Sequence, residues 1–144
     1  MDEPRGYCLD IIGGEGVNAP LDKGLQAHTC YNYSGRLVED QSFDPVLIEN
    51  GKFFINYFNV CMAAESLNEG VGVGLEKCGN SSKQGFILQS NGNIVTKVRQ
   101  HLCLTVGSSK GASGDTAEHL MRPLSLEACS DDLKRYQTWK VQSL

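Results

Sequence analysis

The sequence predicts an all-β fold built from three copies of one unit. Helical periodicity is scarce, and sixteen glycines interrupt short apolar runs along the 144 residues. Asn-Gly pairs at 50–51 and 91–92 are typical of tight turns next to strands. A cysteine inside a short apolar strand occurs three times, at Cys8, Cys61 and Cys103. Together these features favour many short strands arranged around an internal repeat.

Each copy contains the same markers in the same order. The strands YCLDI, VCMAA and LCLTV are each followed by a second cysteine, at Cys30, Cys78 and Cys129. Each copy then closes with a glutamine and an aromatic residue two positions later, in DQSF, KQGF and YQTW. A unit of about 45 residues cannot bury its own apolar face, so the copies must share one core. We therefore predict a single domain, 1–144, with repeats at about 5–50, 51–95 and 96–143.

Charge and hydropathy exclude several classes of partner. The formal net charge is −4 and the 13 lysines and arginines are scattered, so no basic face argues for nucleic acid or an anionic membrane. No apolar run approaches the roughly 18 residues that span a bilayer, so we expect no membrane insertion. The charged start MDEPRGY does not resemble a signal peptide, which favours a mature chain or a domain with an added Met1.

Six cysteines are many for a chain of this length. None forms a C-x-x-C pair and the chain has three histidines, so a structural zinc site is disfavoured. An even count without metal spacing favours three disulfides and an oxidising compartment. Two Asn-x-Ser sequons, at Asn32 and Asn80, are consistent with that compartment. We therefore expect a secreted or extracellular protein.

The thrice-repeated pattern of strand cysteine, second cysteine and Q-x-aromatic resembles the ricin-type (R-type) β-trefoil lectins, whose repeat ends in Q-x-W. Only Trp139 keeps the tryptophan, which Phe43 and Phe86 replace in the other copies. The resemblance covers about residues 5–143 and implies pseudo-threefold symmetry and twelve strands, in a type of trefoil that rarely catalyses a reaction. It also implies three disulfides within the repeats, namely Cys8–Cys30, Cys61–Cys78 and Cys103–Cys129. The closing aromatics and their glutamines are expected to hold the core together, the glutamines being Gln41, Gln84 and Gln137.

In this family a sugar site needs an aspartate two residues after the first cysteine. It also needs an aromatic or imidazole platform before the second cysteine, and a polar residue ahead of the closing glutamine. The first repeat supplies all of these, as Asp10, Gln26 with His28, and Asp40 before Gln41. The other two repeats lack the aspartate, which leaves no strong acceptor for vicinal hydroxyls. Their residues at these positions are Ala63, Gly74, Glu76 and Lys83 in the second repeat, and Thr105, Ser125, Glu127 and Tyr136 in the third. We therefore predict one carbohydrate-binding repeat and two scaffold repeats.

Asp40 adds a second carboxylate to the predicted pocket. Two carboxylates in one small pocket repel each other unless a proton or a cation lies between them, and oxygen-only ligands suit calcium. The turn after Asp10 could present the carbonyls of Ile11 and Gly13 to such an ion. This set resembles the calcium-dependent R-type lectins of marine invertebrates, where two aspartates and two carbonyls hold calcium and galactose hydroxyls complete its shell. The alternative is that Asp40 binds sugar directly, or binds nothing.

The expected function is a non-catalytic lectin domain for galactose- or N-acetylgalactosamine-containing glycans. A rival interpretation is a targeting or protein-interaction trefoil with a vestigial sugar site, part of a larger toxin or enzyme. Asp10 and Asp40 could be imagined as a glycosidase pair, but nothing else in the sequence indicates an enzyme. Because one site cannot cross-link cells, agglutination by this chain would require a homo-oligomer.

Overall fold

The computed structural model describes residues 6–13, 16–30, 39–108, 111–112 and 120–142. Within these ranges lie ten strands, one short α-helix and four 3-10 turns. The strands are β1 Tyr7–Ile11, β2 Leu25–Thr29, β3 Phe54–Ile55, β4 Val60–Ala64, β5 Val73–Glu76, β6 Phe86–Leu88, β7 Ile94–Thr96, β8 Leu102–Val106, β9 Gly111–Ala112 and β10 Leu120–Ala128. The helix is α1 Pro45–Glu49, and the 3-10 turns are Gly16–Asn18, Glu39–Gln41, Ser82–Gln84 and Asp131–Tyr136. The predicted all-β class is confirmed.

The strands pair antiparallel in two sheets. One has the order β1-β2-β10-β8-β7-β6 with β9 beside β10, and the other has the order β3-β4-β5. The larger sheet takes strands from all three repeats, because β10 of the third repeat pairs with β2 of the first. The three units therefore share one core, as the repeat pattern predicts.

The three repeats use the same register between their first two strands. The first cysteine of each repeat faces the residue two positions before the second cysteine, in the pairs Cys8–His28, Cys61–Glu76 and Cys103–Glu127. All three predicted disulfides are present, and each joins Cα atoms 5.1 Å apart. Pseudo-threefold symmetry and the predicted pairing of the cysteines are confirmed.

Among the described residues, the second repeat has five strands, β3 to β7, whereas the first has two, β1 and β2. Where the second repeat has β6, the first forms a single bridge between Phe43 and Ile55. Asp44 then caps α1, accepting hydrogen bonds from the amides of Val46 and Leu47, with Pro45 at the first helical position. Proline has no amide hydrogen to continue a strand ladder, so pairing stops there. The described residues thus hold ten strands where the resemblance implies twelve.

The two Asn-Gly pairs have different roles. Gly92, at φ +92°, turns the chain between β6 and β7 as predicted. Asn50 instead caps the end of α1, and Gly51 follows at φ +83°. A glycine just beyond a helix is favoured because this left-handed conformation is free of strain without a Cβ atom.

The core lies between the sheets and includes the closing aromatics of the repeats. Phe86 is fully buried and packs edge-to-face on Phe53, which packs in the same way on Phe43. Trp139 packs against this core and donates its indole hydrogen to the carbonyl of Leu104 at 3.0 Å. The predicted structural role of these aromatics is confirmed. In the part of the chain that the structure describes, no helix has the length and apolarity to cross a membrane.

Candidate functional site

The five predicted sugar-binding residues come from three neighbouring elements of the first repeat. Asp10 lies on β1, Gln26 and His28 on β2, and Asp40 and Gln41 in the 3-10 turn Glu39–Gln41. That turn packs against β1. Asp10 faces Gln26 across the ladder, and its carboxyl group is hydrogen-bonded to the Gln26 side chain and to Asp40. Two carboxyl groups thirty positions apart in sequence are therefore in contact in the fold.

Both aspartates are buried. Asp10 is 3% exposed and Asp40 is 2% exposed, and the Oδ1 atom of each has no hydrogen-bond partner among the residues that the structure describes. His28 is the nearby basic group, with its Nδ1 atom 3.7 Å from Oδ2 of Asp10. An unsatisfied buried carboxylate oxygen is costly, so this pair is suited to bind something that supplies positive charge or hydrogen-bond donors.

The two carboxyl groups resist ionisation in the metal-free protein. Burial is the main cause that raises the pKa of Asp10, to about 8, and the neighbouring Asp40 raises it further. Hydrogen bonds from the Ile11 backbone and the Gln26 side chain act in the opposite direction. Burial also raises the pKa of Asp40, against hydrogen bonds from Asp10 and from the amide of Gly16. At neutral pH Asp10 therefore keeps a proton and donates it to Asp40 in a hydrogen bond.

This raised pKa predicts an unusual pH dependence for the metal-free protein. The pKa of Asp10 is about 8 when folded against 3.8 for the ordinary group, so between these values the folded state binds more protons than the unfolded state. The contribution of Asp10 to stability is therefore complete below pH 4 and is lost as the pH rises through 8. Urea unfolding in chelator at pH 5, 6, 7 and 8 should give a falling free energy of unfolding. The Asp10→Asn variant should show a flatter profile, and equal slopes for the two proteins would contradict the assignment.

His28 lies in the interior of the sheet. Its Nδ1 atom is 2.9 Å from the Thr29 carbonyl, and because a carbonyl only accepts, Nδ1 carries the hydrogen. Its strand neighbours are Cys8 on β1 and Met121 on β10. The side chain is 3% exposed, so the stacking platform that we predict at His28 has little open surface. Its contact with sugar stays a prediction.

Each closing glutamine binds the backbone beside the second cysteine of its own repeat. Gln84 donates to the carbonyl of Lys77 and accepts from the amide of Gly79, on either side of Cys78. Gln137 makes the same two bonds on either side of Cys129. In the first repeat, Gln41 donates to the Thr29 carbonyl at 3.1 Å, just before Cys30. The side-chain amide of Gln41 thus has a structural role, because this hydrogen bond fixes the turn that contains Asp40. A sugar contact by Gln41 stays a prediction.

The backbone after Asp10 was predicted to offer carbonyl oxygens. The amide of Ile12 donates to the carbonyl of Gly24, and the amide of Cys30 donates to the carbonyl of Gly6. Because every second residue of an antiparallel strand exchanges hydrogen bonds with its partner strand, Asp10 is one of the residues that bond to β2. Ile11 lies between two such residues, so its carbonyl is directed away from β2. Since β1 is an edge strand of the sheet as described, this carbonyl lies at the outer edge of that sheet. Gly13 follows in a turn at φ +72°. Among the described residues, no group of three or more His, Cys, Asp and Glu side chains is arranged to hold a metal. A cation here would therefore depend on two carboxylates and backbone oxygens.

The same positions in the other repeats contain no comparable pair. Ala63 faces Gly74 in the second repeat, and Thr105 faces Ser125 in the third. Thr105 accepts a hydrogen bond from Gln137 and donates to the carbonyl of Cys103, so its hydroxyl is satisfied internally. The described part of the chain therefore brings two buried aspartates together in the first repeat only.

Two backbone groups that hold the site together are not among the residues predicted from the sequence. The Thr29 carbonyl holds both His28 and Gln41, and no side-chain pattern indicates this role. The amide of Gly16 binds Asp40, and Gly16 adopts φ +60°. The cluster GGEG offered a signal, because glycines often permit a close approach of backbone to a polar group.

A disulfide-bonded β-trefoil with one buried polar site in a single repeat is typical of a recognition module. The profile of the ricin-type beta-trefoil lectin domain matches residues 2–139. The chain therefore belongs to the ricin-type β-trefoil lectin family, whose domains are carbohydrate-binding modules and whose partners are glycans. A search of curated proteins found no significant match. The three disulfides and the lectin domain together indicate an extracellular or secreted protein.

Proposed function

We propose that this domain binds galactose- or N-acetylgalactosamine-type sugars at a single site formed by β1, β2 and the turn Glu39–Gln41. One observation supports this above all others. Asp10 and Asp40 are buried side by side, and each has an oxygen without a hydrogen-bond partner in the described part of the chain. Two such groups make a fold less stable than hydrogen-bonded or apolar residues would, and exceptions of this kind are expected at functional sites.

The residues at this site fit a hard divalent cation. Two carboxylates supply the charge, and the carbonyls of Ile11 and Gly13 follow directly in the chain. Calcium bound here would neutralise the pair and accept two adjacent sugar hydroxyls as ligands. To hold it, Asp10 must release the proton that it shares with Asp40, so binding should favour neutral over acidic pH.

The chain's own groups then orient the sugar. In the proposed complex, the Oδ1 atom of each aspartate, which lacks a hydrogen-bond partner among the described residues, would accept a charge-assisted hydrogen bond from a sugar hydroxyl. Gln26 holds the carboxylate of Asp10 in place from the neighbouring strand. Gln41 fixes the turn of Asp40 through the Thr29 carbonyl, which also holds the imidazole of His28. A pair of vicinal hydroxyls, as in galactose, matches a pair of adjacent acceptors.

Two alternatives make different predictions. If Asp40 binds sugar directly without a metal, chelator leaves binding intact. If the site is vestigial and the domain serves targeting or protein interaction, no simple sugar binds at all. Under the first alternative the domain binds sugar without a cation, and under the second it binds neither sugar nor cation.

A glycan array tests the proposed function. The domain is applied in calcium buffer, and again after treatment with chelator and removal of the metal. We expect retention on glycans with terminal galactose or N-acetylgalactosamine in calcium, and a loss of that signal in chelator. Absence of every glycan signal in calcium would support the vestigial interpretation.

Valency offers an independent check. One site in one repeat predicts a stoichiometry of one sugar per chain, and a monomer should bind red cells without agglutinating them. Light scattering and a haemagglutination assay on the same sample provide the measurement. Agglutination by a demonstrated monomer would show that another repeat also binds.

A further inference from the structure

The sequon Asn80-Ser81-Ser82 lies on the surface of the second repeat. Asn80, Ser81 and Ser82 are all exposed, and Asn80 belongs to no strand or helix. We propose that Asn80 is a site of N-linked glycosylation. The sequon requires an accessible asparagine and an accessible hydroxyl two positions later, and both conditions are met here.

The backbone around Asn80 is held on both sides. Cys78 is bonded to Cys61, and the amide of Gly79 donates to Oε1 of Gln84 at 2.9 Å. On the other side, the Ser81 hydroxyl caps the following 3-10 turn by accepting from the amide of Lys83. Asn80 therefore protrudes from a bend between two fixed points. A glycan attached to it would break no strand ladder and would displace no buried side chain.

The attachment forms a bond between Nδ2 of Asn80 and the anomeric carbon of a lipid-linked oligosaccharide. The bond from that carbon to the lipid diphosphate breaks, the diphosphate leaves with the electron pair, and the proton lost from Nδ2 passes to a base of the transferase. The donor and the transferase belong to the secretory pathway. The three disulfides require the same oxidising compartment, so the folded chain and this modification are compatible.

The position of Asn80 within its repeat gives the modification a consequence. Asn80 lies two residues after Cys78, as Asn32 lies two residues after Cys30, although Asn32 falls outside the described residues. Gln84 binds Gly79 next to Asn80 and also donates to the carboxylate of Glu76 at 3.3 Å. A glycan on Asn80 therefore stands beside the second-repeat counterpart of the proposed sugar pocket. It would occupy a surface of the second repeat, where Ala63 faces Gly74 at the positions that Asp10 and Gln26 hold in the first repeat.

The test uses the full chain, secreted from a eukaryotic cell line behind an added signal peptide. Glycans are removed enzymatically in ¹⁸O-labelled water, which converts each formerly occupied asparagine to a labelled aspartate. Peptide mass spectrometry then reports occupancy at Asn80 separately from Asn32. We expect label at Asn80, complete loss of it in Ser82→Ala, and retention in Ser82→Thr.

Ser81→Ala provides the matched control, because it removes the neighbouring hydroxyl and keeps the sequon. Its occupancy should equal that of the native chain. An unlabelled Asn80 in both the native chain and Ser82→Thr would overturn the proposal. Occupancy is read without any sugar-binding assay, so this result is independent of the proposed function.

Discussion

Replacement of either buried aspartate should remove calcium and galactose binding together. Asp10→Asn and Asp40→Asn each delete a charge with little change in volume. Each aspartate accepts one charge-assisted hydrogen bond in the proposed complex, worth about 1.5–3 kcal/mol, so galactose affinity should fall by at least about 10-fold in each variant. Calcium affinity should fall in parallel, because the two carboxylates provide the charge of the proposed site. Isothermal titration with each ligand in turn provides the measurement.

The same variants should fold normally. At neutral pH, the metal-free native protein must keep Asp10 protonated to maintain its hydrogen bond to Asp40, and an amide at either position removes one buried ionisable group. The metal-free variants should therefore unfold at a temperature equal to or above that of the native protein. Asp131→Asn, at an exposed position in the third repeat, provides a matched control and should leave both affinities unchanged. If Asp40→Asn retained galactose binding while Asp10→Asn lost it, the sugar would be bound without the metal.

Removal of the first-repeat disulfide should cost both stability and affinity. The Cys8–Cys30 bond closes a separation of 22 residues, and its loss in Cys8→Ala/Cys30→Ala should lower the free energy of unfolding by about 3 kcal/mol. β1 lies at the edge of its sheet as described and pairs with β2 alone, so the bond also restrains the strand that carries Asp10. Galactose affinity in the folded fraction should therefore fall several-fold.

Removal of the second-repeat disulfide distinguishes the loss of stability from the loss of galactose affinity. Cys61→Ala/Cys78→Ala removes a bond across 17 residues and should lower stability by a similar amount, about 3 kcal/mol. It lies in a repeat without the aspartate pair, so galactose affinity should stay at the native value. Urea unfolding and titration calorimetry on both variants provide the comparison. Equal losses of affinity in the two variants would show that binding depends on overall stability rather than on the first repeat.

The sequence predicted the fold and the disulfides well, because repeated cysteines carry information that single motifs lack. The resemblance to the ricin-type family, which rests on three cysteine pairs in register, implied the pairing, and the structure confirms it at Cys8–Cys30 and its two counterparts. The aspartate pair was also predictable in part, since an acid inside the apolar strand YCLDI demands a partner.

Burial and local capping were harder to predict. His28 lies in LQAHT, all five residues of which are buried, because β2 is flanked by β1 and β10. A partner strand more than ninety residues away in sequence cannot be inferred from a local pattern. The helix α1 was missed because five residues are too few to show a period, although Asp44-Pro45 is a helix-start signal. The amide of Gly16 reaches Asp40 through the conformation of a loop, which composition alone does not specify.

The account depends most directly on the link between calcium and sugar at the first repeat. Galactose is titrated into one preparation of the native domain three times: with calcium, after exhaustive chelation, and after calcium is restored. We predict binding of one sugar per chain in calcium, none in chelator, and full recovery on restoration. The metal-loaded protein should also melt at a higher temperature, by mass action on the native state. Galactose binding that survives exhaustive chelation at unchanged affinity would contradict the proposed calcium site.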